Sequence, residues 1–166
     1  MDINCSYPFT PIEFKGRVIL RPLLQCTLEY QGNSLTTALL LDSGADISML
    51  TQEVARDGLK IDLDKLEPAG DTGGIGGDIS VAMVDVGVSF AMGPRYVHRC
   101  TIPFQIPLGE NKGPCYSLLG RDPFFYEFRV SFRMGYTDDP RVGKFNLHKE
   151  SVKRSADRFK KPVTYG

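Results

Sequence analysis

Leu39-Leu40-Leu41-Asp42-Ser43-Gly44-Ala45-Asp46 is an apolar run that ends abruptly in a turn of small residues. Leu35 to Leu41 reads as a buried strand. A carboxylate placed directly after a buried strand is costly to keep charged unless nearby chemistry uses that charge. Asp-Ser-Gly by itself is a common surface turn after a core strand. Two further segments downstream change its meaning.

Upstream of the turn, Arg17 to Leu20 and Leu23 to Tyr30 read as strands, and Gln31-Gly32 lies in the turn that sends the chain back through Leu35 to Leu41. Residues 1–16 read as a lead-in, with Ile12-Glu13-Phe14 alternating as an edge strand does. Downstream, Thr51 is an expected N-cap for a short helix over Gln52 to Asp57, closed by Gly58. Leu59 to Leu66 reads as a strand or an extended loop. Gly70-Asp71-Thr72-Gly73-Gly74-Ile75-Gly76-Gly77-Asp78 then brackets one apolar residue with glycines between strand-like arms, the pattern of a mobile hairpin tip. Neither a G-x-x-x-x-G-K-[ST] loop nor a strand–G-x-G-x-x-G–helix unit is present, so phosphate cradling is not expected. Ile79 to Phe90 and Tyr96 to Ile106 read as strands. Cys115-Tyr116-Ser117-Leu118-Leu119-Gly120 is a short apolar strand, and Arg121-Asp122-Pro123 opens a short helix with Asp122 as expected N-cap. Phe128 to Phe132 and Lys144 to His148 are expected to close a hairpin. Residues 149–166 form a basic tail with Lys153, Arg154, Arg158, Lys160 and Lys161, read as solvated and flexible.

The whole chain sets the class. Its 166 residues suit one domain, placed at residues 17–148, and 20 basic residues balance 20 acidic ones, so no global field favours nucleic acid or an anionic membrane. Seventeen glycines and eleven prolines among short β-branched and aromatic runs point to strands and turns. No apolar run approaches the roughly 18 residues of a membrane span. Met1 to Phe14 lacks a basic-then-apolar leader pattern. Cys5, Cys26, Cys100 and Cys115 are irregularly spaced with no Cys-x-x-Cys pair, so reduced thiols in a cytoplasmic protein are expected and a zinc site is not, His98 beside Cys100 notwithstanding.

An apolar strand ending in Asp-Ser-Gly-Ala-Asp, a Gly-Gly-Ile-Gly-Gly hairpin tip and a Leu-Leu-Gly-Arg-Asp strand-to-helix junction stand in that order. Together they resemble the retropepsins, the single-lobed aspartic proteases of retroviruses and their cellular relatives. The resemblance runs from about Arg21 to Phe132. Arg21-Pro22-Leu23 is similar to the retroviral pattern, and Phe128-Arg129-Val130-Ser131-Phe132 to the cellular, bacterial and archaeal branch. It implies an all-β, closed acid-protease barrel with a flap hairpin and one or two short helices. It also implies an aspartic endopeptidase that works without metal or cofactor.

Such chemistry needs two carboxylates close enough to share one proton and hold a water. This chain offers one aspartate in the right setting. Asp71-Thr72-Gly73 follows Pro68-Ala69-Gly70 rather than an apolar strand, and the 29-residue separation of Asp42 and Asp71 cannot supply a second lobe. Asp71 is read as hairpin surface. The resemblance therefore implies a homodimer in which Asp42 meets Asp42 of a second copy.

The resemblance assigns further roles. Ser43 braces the paired turns, and Gly44 admits substrate or water near its backbone. Ala45 and Asp46 bind substrate, Asp46 also pairing with Arg121, and Arg21 of the second copy completes an ion cluster. Gly74, Ile75 and Gly76 fold over an extended peptide, while Leu40, Tyr116 and Leu118 line apolar pockets for bulky side chains. The competing expectation is a catalytically silent dimer that keeps the cleft to bind peptide segments. A β-barrel using its basic tail on nucleic acid is disfavoured, because no stacking-aromatic pattern accompanies the charge.

Overall fold

The computed structural model describes residues 3–74, 77–110, 115–134 and 143–149. In chain order the strands are β1 (Ile3–Pro8), β2 (Thr10–Phe14), β3 (Arg17–Arg21), β4 (Leu23–Tyr30), β5 (Asn33–Leu41) and β6 (Ser48–Met49). They continue as β7 (Gly70–Gly74), β8 (Gly77–Ala91), β9 (Val97–Pro107) and β10 (Leu118–Leu119). A single helical turn, α1 (Phe124–Glu127), leads into β11 (Phe128–Arg133), and β12 (Lys144–Lys149) follows.

Alternation decides which face goes inward. In β4 the buried residues are Leu24, Cys26 and Leu28; in β8 they include Val84, Val86, Val88 and Phe90. The β4–β5 hairpin turns through Gln31 (φ 45°) and Gly32 (φ 84°), the paired positive angles that match the twist of a tight hairpin. The sheet then runs β4-β5-β10-β6-β9-β8, and β8 pairs back onto β4 at Thr27↔Ser89 and Leu28↔Val88. Six strands thereby close a barrel, as the sequence led us to expect, and closure removes the exposed edges of the sheet. Leu39, Leu50, Ile102, Phe104, Ile106 and Leu119 are among the residues that fill it. β8 is long enough to serve twice, its start from Gly77 to Val81 pairing with β7 in a hairpin and the rest pairing with β9.

A second, three-stranded sheet has the order β1-β12-β11. Residues 3–8, read from sequence as lead-in, thus form a strand that pairs with β12 from Ile3↔Lys149 to Pro8↔Lys144. Phe145 is its central anchor. It is fully buried, stacks on Tyr7 at 5.1 Å between ring centroids and meets Phe9 at 5.9 Å. Ile12-Glu13-Phe14 does form a strand, paired with β3. The expected basic tail at Lys153, Arg154, Arg158, Lys160 and Lys161 lies outside the described residues.

The short helices differ from expectation in detail. Thr51 caps as expected, its Oγ1 accepting the Val54 N–H at 3.3 Å. Over Val54–Gly58 the turn then widens to π geometry, with the Leu59 N–H donating to the Val54 carbonyl at 3.0 Å. Gly58 serves less as a cap than as a gap, since a Cβ there would lie 2.4 Å from Cδ2 of Leu35. Leu59 to Leu66 is an extended loop with one 3-10 turn at Leu63–Lys65. Asp122 is not the N-cap of α1. Pro123 holds that place with no side-chain cap, and the Asp122 N–H instead donates to the Asp46 carbonyl at 2.9 Å.

Because Phe145 is enclosed by rings it cannot be replaced by collapse of flexible neighbours. We expect Phe145→Ala to cost about 3–5 kcal/mol, read as a fall in the urea midpoint at unchanged slope.

Candidate active site

Asp42 is held by a ladder that reaches it from both sides of β5. The Leu41 N–H donates to Pro22 O at 3.0 Å on one side. On the other, the Leu40 N–H donates to Ser117 O at 2.9 Å and the Asp42 N–H to Leu119 O at 3.0 Å. The pairing with β10 is parallel, Leu40 opposite Leu118 and Leu41 opposite Leu119. The turn then folds on its own aspartate. Ala45 N–H donates to Asp42 O at 3.2 Å, and Gly44 N–H to the Asp42 carboxylate Oδ1 at 2.8 Å. The carboxylate is thus oriented by the backbone two residues on, an arrangement that short acidic side chains favour in turns. A Cβ on Gly44 would stand 3.1 Å from that same oxygen, so glycine leaves the carboxylate its room.

The junction after β10 returns to the same turn. Arg121 N–H donates to Ala45 O at 2.8 Å, and Ile47 bridges Asp122 in parallel. The Arg121 guanidinium pairs with the Asp46 carboxylate, as expected from the sequence. Both side chains are exposed in the single chain, at 52% and 77%, so the pair directs geometry more than it stabilises.

Two serines outside the sequence reading complete the frame. Ser48 is fully buried and its Oγ accepts the Gly120 N–H at 3.0 Å; Ser117 is buried and its Oγ accepts the Thr51 N–H at 3.0 Å. Both stand inside apolar runs, Ile47-Ser48-Met49-Leu50 and Tyr116-Ser117-Leu118-Leu119, where a buried hydroxyl needs a partner. That was the available signal. Gly120 packs directly on backbone, its missing Cβ being 2.6 Å from the Ile47 carbonyl carbon.

Apolar side chains share the face on which Asp42 emerges. Residues two apart on a strand point the same way, so Leu40 and Asp42 lie together, while Leu39 and Leu41 point into the core. Leu118 and Leu23 are the register partners of Leu40 on its two sides, and all three are half-buried, as is Tyr116. Leu23 belongs to this strip by register and was not singled out in the sequence. Ser43 is exposed beside Asp42, and Ala45 is half-buried.

Other expected site residues lie elsewhere. Asp71 is exposed in β7 opposite Ser80. The hairpin reaches Gly74↔Gly77, and Ile75 and Gly76 lie outside the described residues. Arg21 is exposed at the end of β3, next to the Pro22 carbonyl that Leu41 uses, and no ion pair joins it to Asp46 among the described residues. Among those residues no group of His, Cys, Asp and Glu could hold a metal ion, the four cysteines are free, and no helix is long and apolar enough to cross a membrane.

The two tight glycines differ in what they touch. Gly120→Ala meets backbone on β6 and should cost about 1–3 kcal/mol, whereas Gly58→Ala meets only the end of the Leu35 side chain and should cost less. Ser48→Ala strands a buried N–H and should cost about 1–3 kcal/mol. Urea unfolding of the three variants should rank Gly58→Ala as the mildest.

Against known proteins the likeness is consistent. A search of curated proteins finds no match. Among solved structures the chain is similar to a retropepsin-like aspartic protease from Rickettsia conorii, with 19% identity and a TM-score of 0.51. That match covers 86% of this chain and 97% of the other. It is also similar to EIAV protease complexed with an inhibitor, with 22% identity and a TM-score of 0.46, covering 61% of this chain and 83% of that one. On the Rickettsia conorii match the barrel is retropepsin-like. The family model described as aspartyl protease matches residues 26–122, a span that holds the Asp42 turn, the β7–β8 hairpin and the Leu-Leu-Gly-Arg-Asp junction. With more than half of its length matched, the chain belongs to the aspartyl protease family.

Proposed function

We propose that the protein is an aspartic endopeptidase whose catalytic pair is formed by Asp42 of two copies of this chain. The observation that carries the proposal is the lone carboxylate of the Asp42 turn. It is half-buried, pinned at its own N–H and held at Oδ1 by Gly44. Asp46 is engaged by Arg121 and Asp71 stands in the hairpin arm, so neither is placed to be its mate.

Two such carboxyls facing each other cannot both ionise, and the pair shares a proton. The charged member takes a proton from a water held between them as that water attacks the peptide carbonyl, and the neutral member protonates the carbonyl oxygen. Ser43 braces one turn against the other, and Gly44 leaves the backbone open to substrate. The partner's Arg21 approaches the Arg121–Asp46 pair. Ala45 and Asp46 bind the substrate backbone, and Gly74, Ile75 and Gly76 close over it. Leu23, Leu40, Leu118 and Tyr116 give the cleft an apolar floor, which suits an extended peptide with bulky hydrophobic side chains at the cut. No cofactor is required, and a single copy is inactive.

The test is cleavage of a mixed peptide library from about pH 4 to 7.5, an interval chosen to span carboxyl titration, beside Asp42→Asn. We expect cuts between hydrophobic residues and a fall in kcat/KM of at least about 10²–10⁴ in the variant, with its dimer intact. Initial rates should rise with the square of protein concentration when dilute. Equal cutting by both proteins would place the activity elsewhere. Peptide binding without cutting would assign the cleft to recognition alone.

A further inference from the structure

His98 on β9 is a buried imidazole, 4% exposed. Its ring lies between the barrel and the β1-β12-β11 sheet, with centroids 5.2 Å from Phe90 and 5.0 Å from Phe128, the latter edge to face. Two charged groups reach it, each from a different element. Lys149 on β12 places Nζ 3.3 Å from Nδ1, and Glu127 at the end of α1 places Oε2 3.6 Å from Nε2. Lys149 and Glu127 are 3.5 Å apart, and Lys149 also sits 5.6 Å from the centre of the Phe128 ring. Cys100, two residues along β9, is the other titratable group on this face, and burial pushes its thiol up to about 11. It stays neutral throughout the range considered below.

An ammonium only donates hydrogen bonds, so Nδ1 must be the acceptor and the ring proton must sit on Nε2, facing Glu127. Nε2 is buried and has no hydrogen-bond partner among the described residues. The neutral ring therefore fits this site in one tautomer. A second proton would place an N–H on Nδ1, facing the Lys149 ammonium at a distance where two donors repel. Glu127 gains an attraction to the imidazolium in return, but it is partly solvated and stands beyond hydrogen-bond length.

We propose that His98 is a pH-sensitive latch: as a neutral acceptor for Lys149 it holds the β1-β12-β11 sheet against the barrel, and a proton on Nδ1 releases β12. Burial, and then the Lys149 charge, hold His98 below its usual range, with Glu127 opposing. A group with a depressed folded pKa contributes stability above its unfolded pKa and loses it as pH falls toward the folded value. The docking is thus firm above about pH 6.5, the ordinary histidine value, and weakens on acidification.

The chain has two histidines, which makes the test clean. His148 on β12 is the internal control. Amide exchange of Lys144–Lys149 would be followed at about pH 7.5 and about pH 5.5, either side of the histidine value, and corrected for intrinsic rates. The wild type, His98→Gln and His148→Gln would be compared, glutamine at 98 keeping an acceptor for Lys149. We expect β12 to lose protection relative to β8–β9 on acidification in the wild type and in His148→Gln, but not in His98→Gln. The loss is bounded at about tenfold per pH unit separating the folded and unfolded midpoints. Imidazole NMR of the wild type gives a reading that needs no variant, and His98 should titrate below the ordinary histidine value of about 6.5. Equal acid loosening in His98→Gln, or a His98 midpoint at or above the ordinary value of about 6.5, overturns the proposal.

Discussion

The bond from the Asp42 N–H to the Leu119 carbonyl fixes where the Asp42 carboxylate can be. It belongs to a parallel pairing of just two residues, and a strand that short cannot hold itself in place. Parallel neighbours also need a long crossover, and here that crossover is most of the barrel, from Asp42 round through β6, β8 and β9 to Ser117. The local geometry of the turn is consequently a global property. Barrel closure at β4–β8 brings Leu118-Leu119 to β5, and the Ser48 and Ser117 hydroxyls with the close-packed Gly120 hold the junction once it arrives.

That construction separates stability from chemistry along a single strand. Leu39 and Leu41 face inward and are buried, while Leu40 and Asp42 face the other way on the same backbone. Outward residues of a strand are ordinarily polar, and here Leu23, Leu40 and Leu118 make that face apolar. The strip gains little for the single folded chain while it stays half exposed. Its leucines gain more when a peptide side chain or a second copy covers them, at roughly 25 cal/mol per Å² of apolar surface removed from water.

Much of this architecture was legible because it follows from alternation and turn chemistry. The β4–β5 hairpin, the β7–β8 hairpin and the β10 junction each carry an apolar run bounded by residues suited to their turns. The less legible parts depend on distant neighbours. Gly58 reads as a helix terminator, yet its absent side chain makes way for Leu35, 23 residues earlier in the chain. Asp122 reads as a cap, but its N–H is claimed by Asp46 across the turn. Ile3–Pro8 shows little as a strand until β12, at the far end of the described chain, arrives to pair with it. Ser48 and Ser117 carry no motif, and their role comes from which N–H groups closure brings within reach.

The same logic connects the two proposals. A carboxyl pair works while it holds a single proton, and the His98 site works while its ring holds no second one. The first condition favours acid and the second opposes it. β12 reaches His98 of the barrel through Lys149 at one end, while Phe145 near the other packs on Tyr7 and Phe9, so a proton at His98 would loosen the Lys149 end first while the Phe145 rings stay packed. Acid would then open the chain's terminal sheet at the corner farthest along β12 before it disturbs the ladder around Asp42. The ladder is made of backbone bonds to Pro22, Ser117 and Leu119, none of which titrates. On the two proposals together, the acid limit would be set at the junction of sheet and barrel, with the Asp42 turn insulated from it.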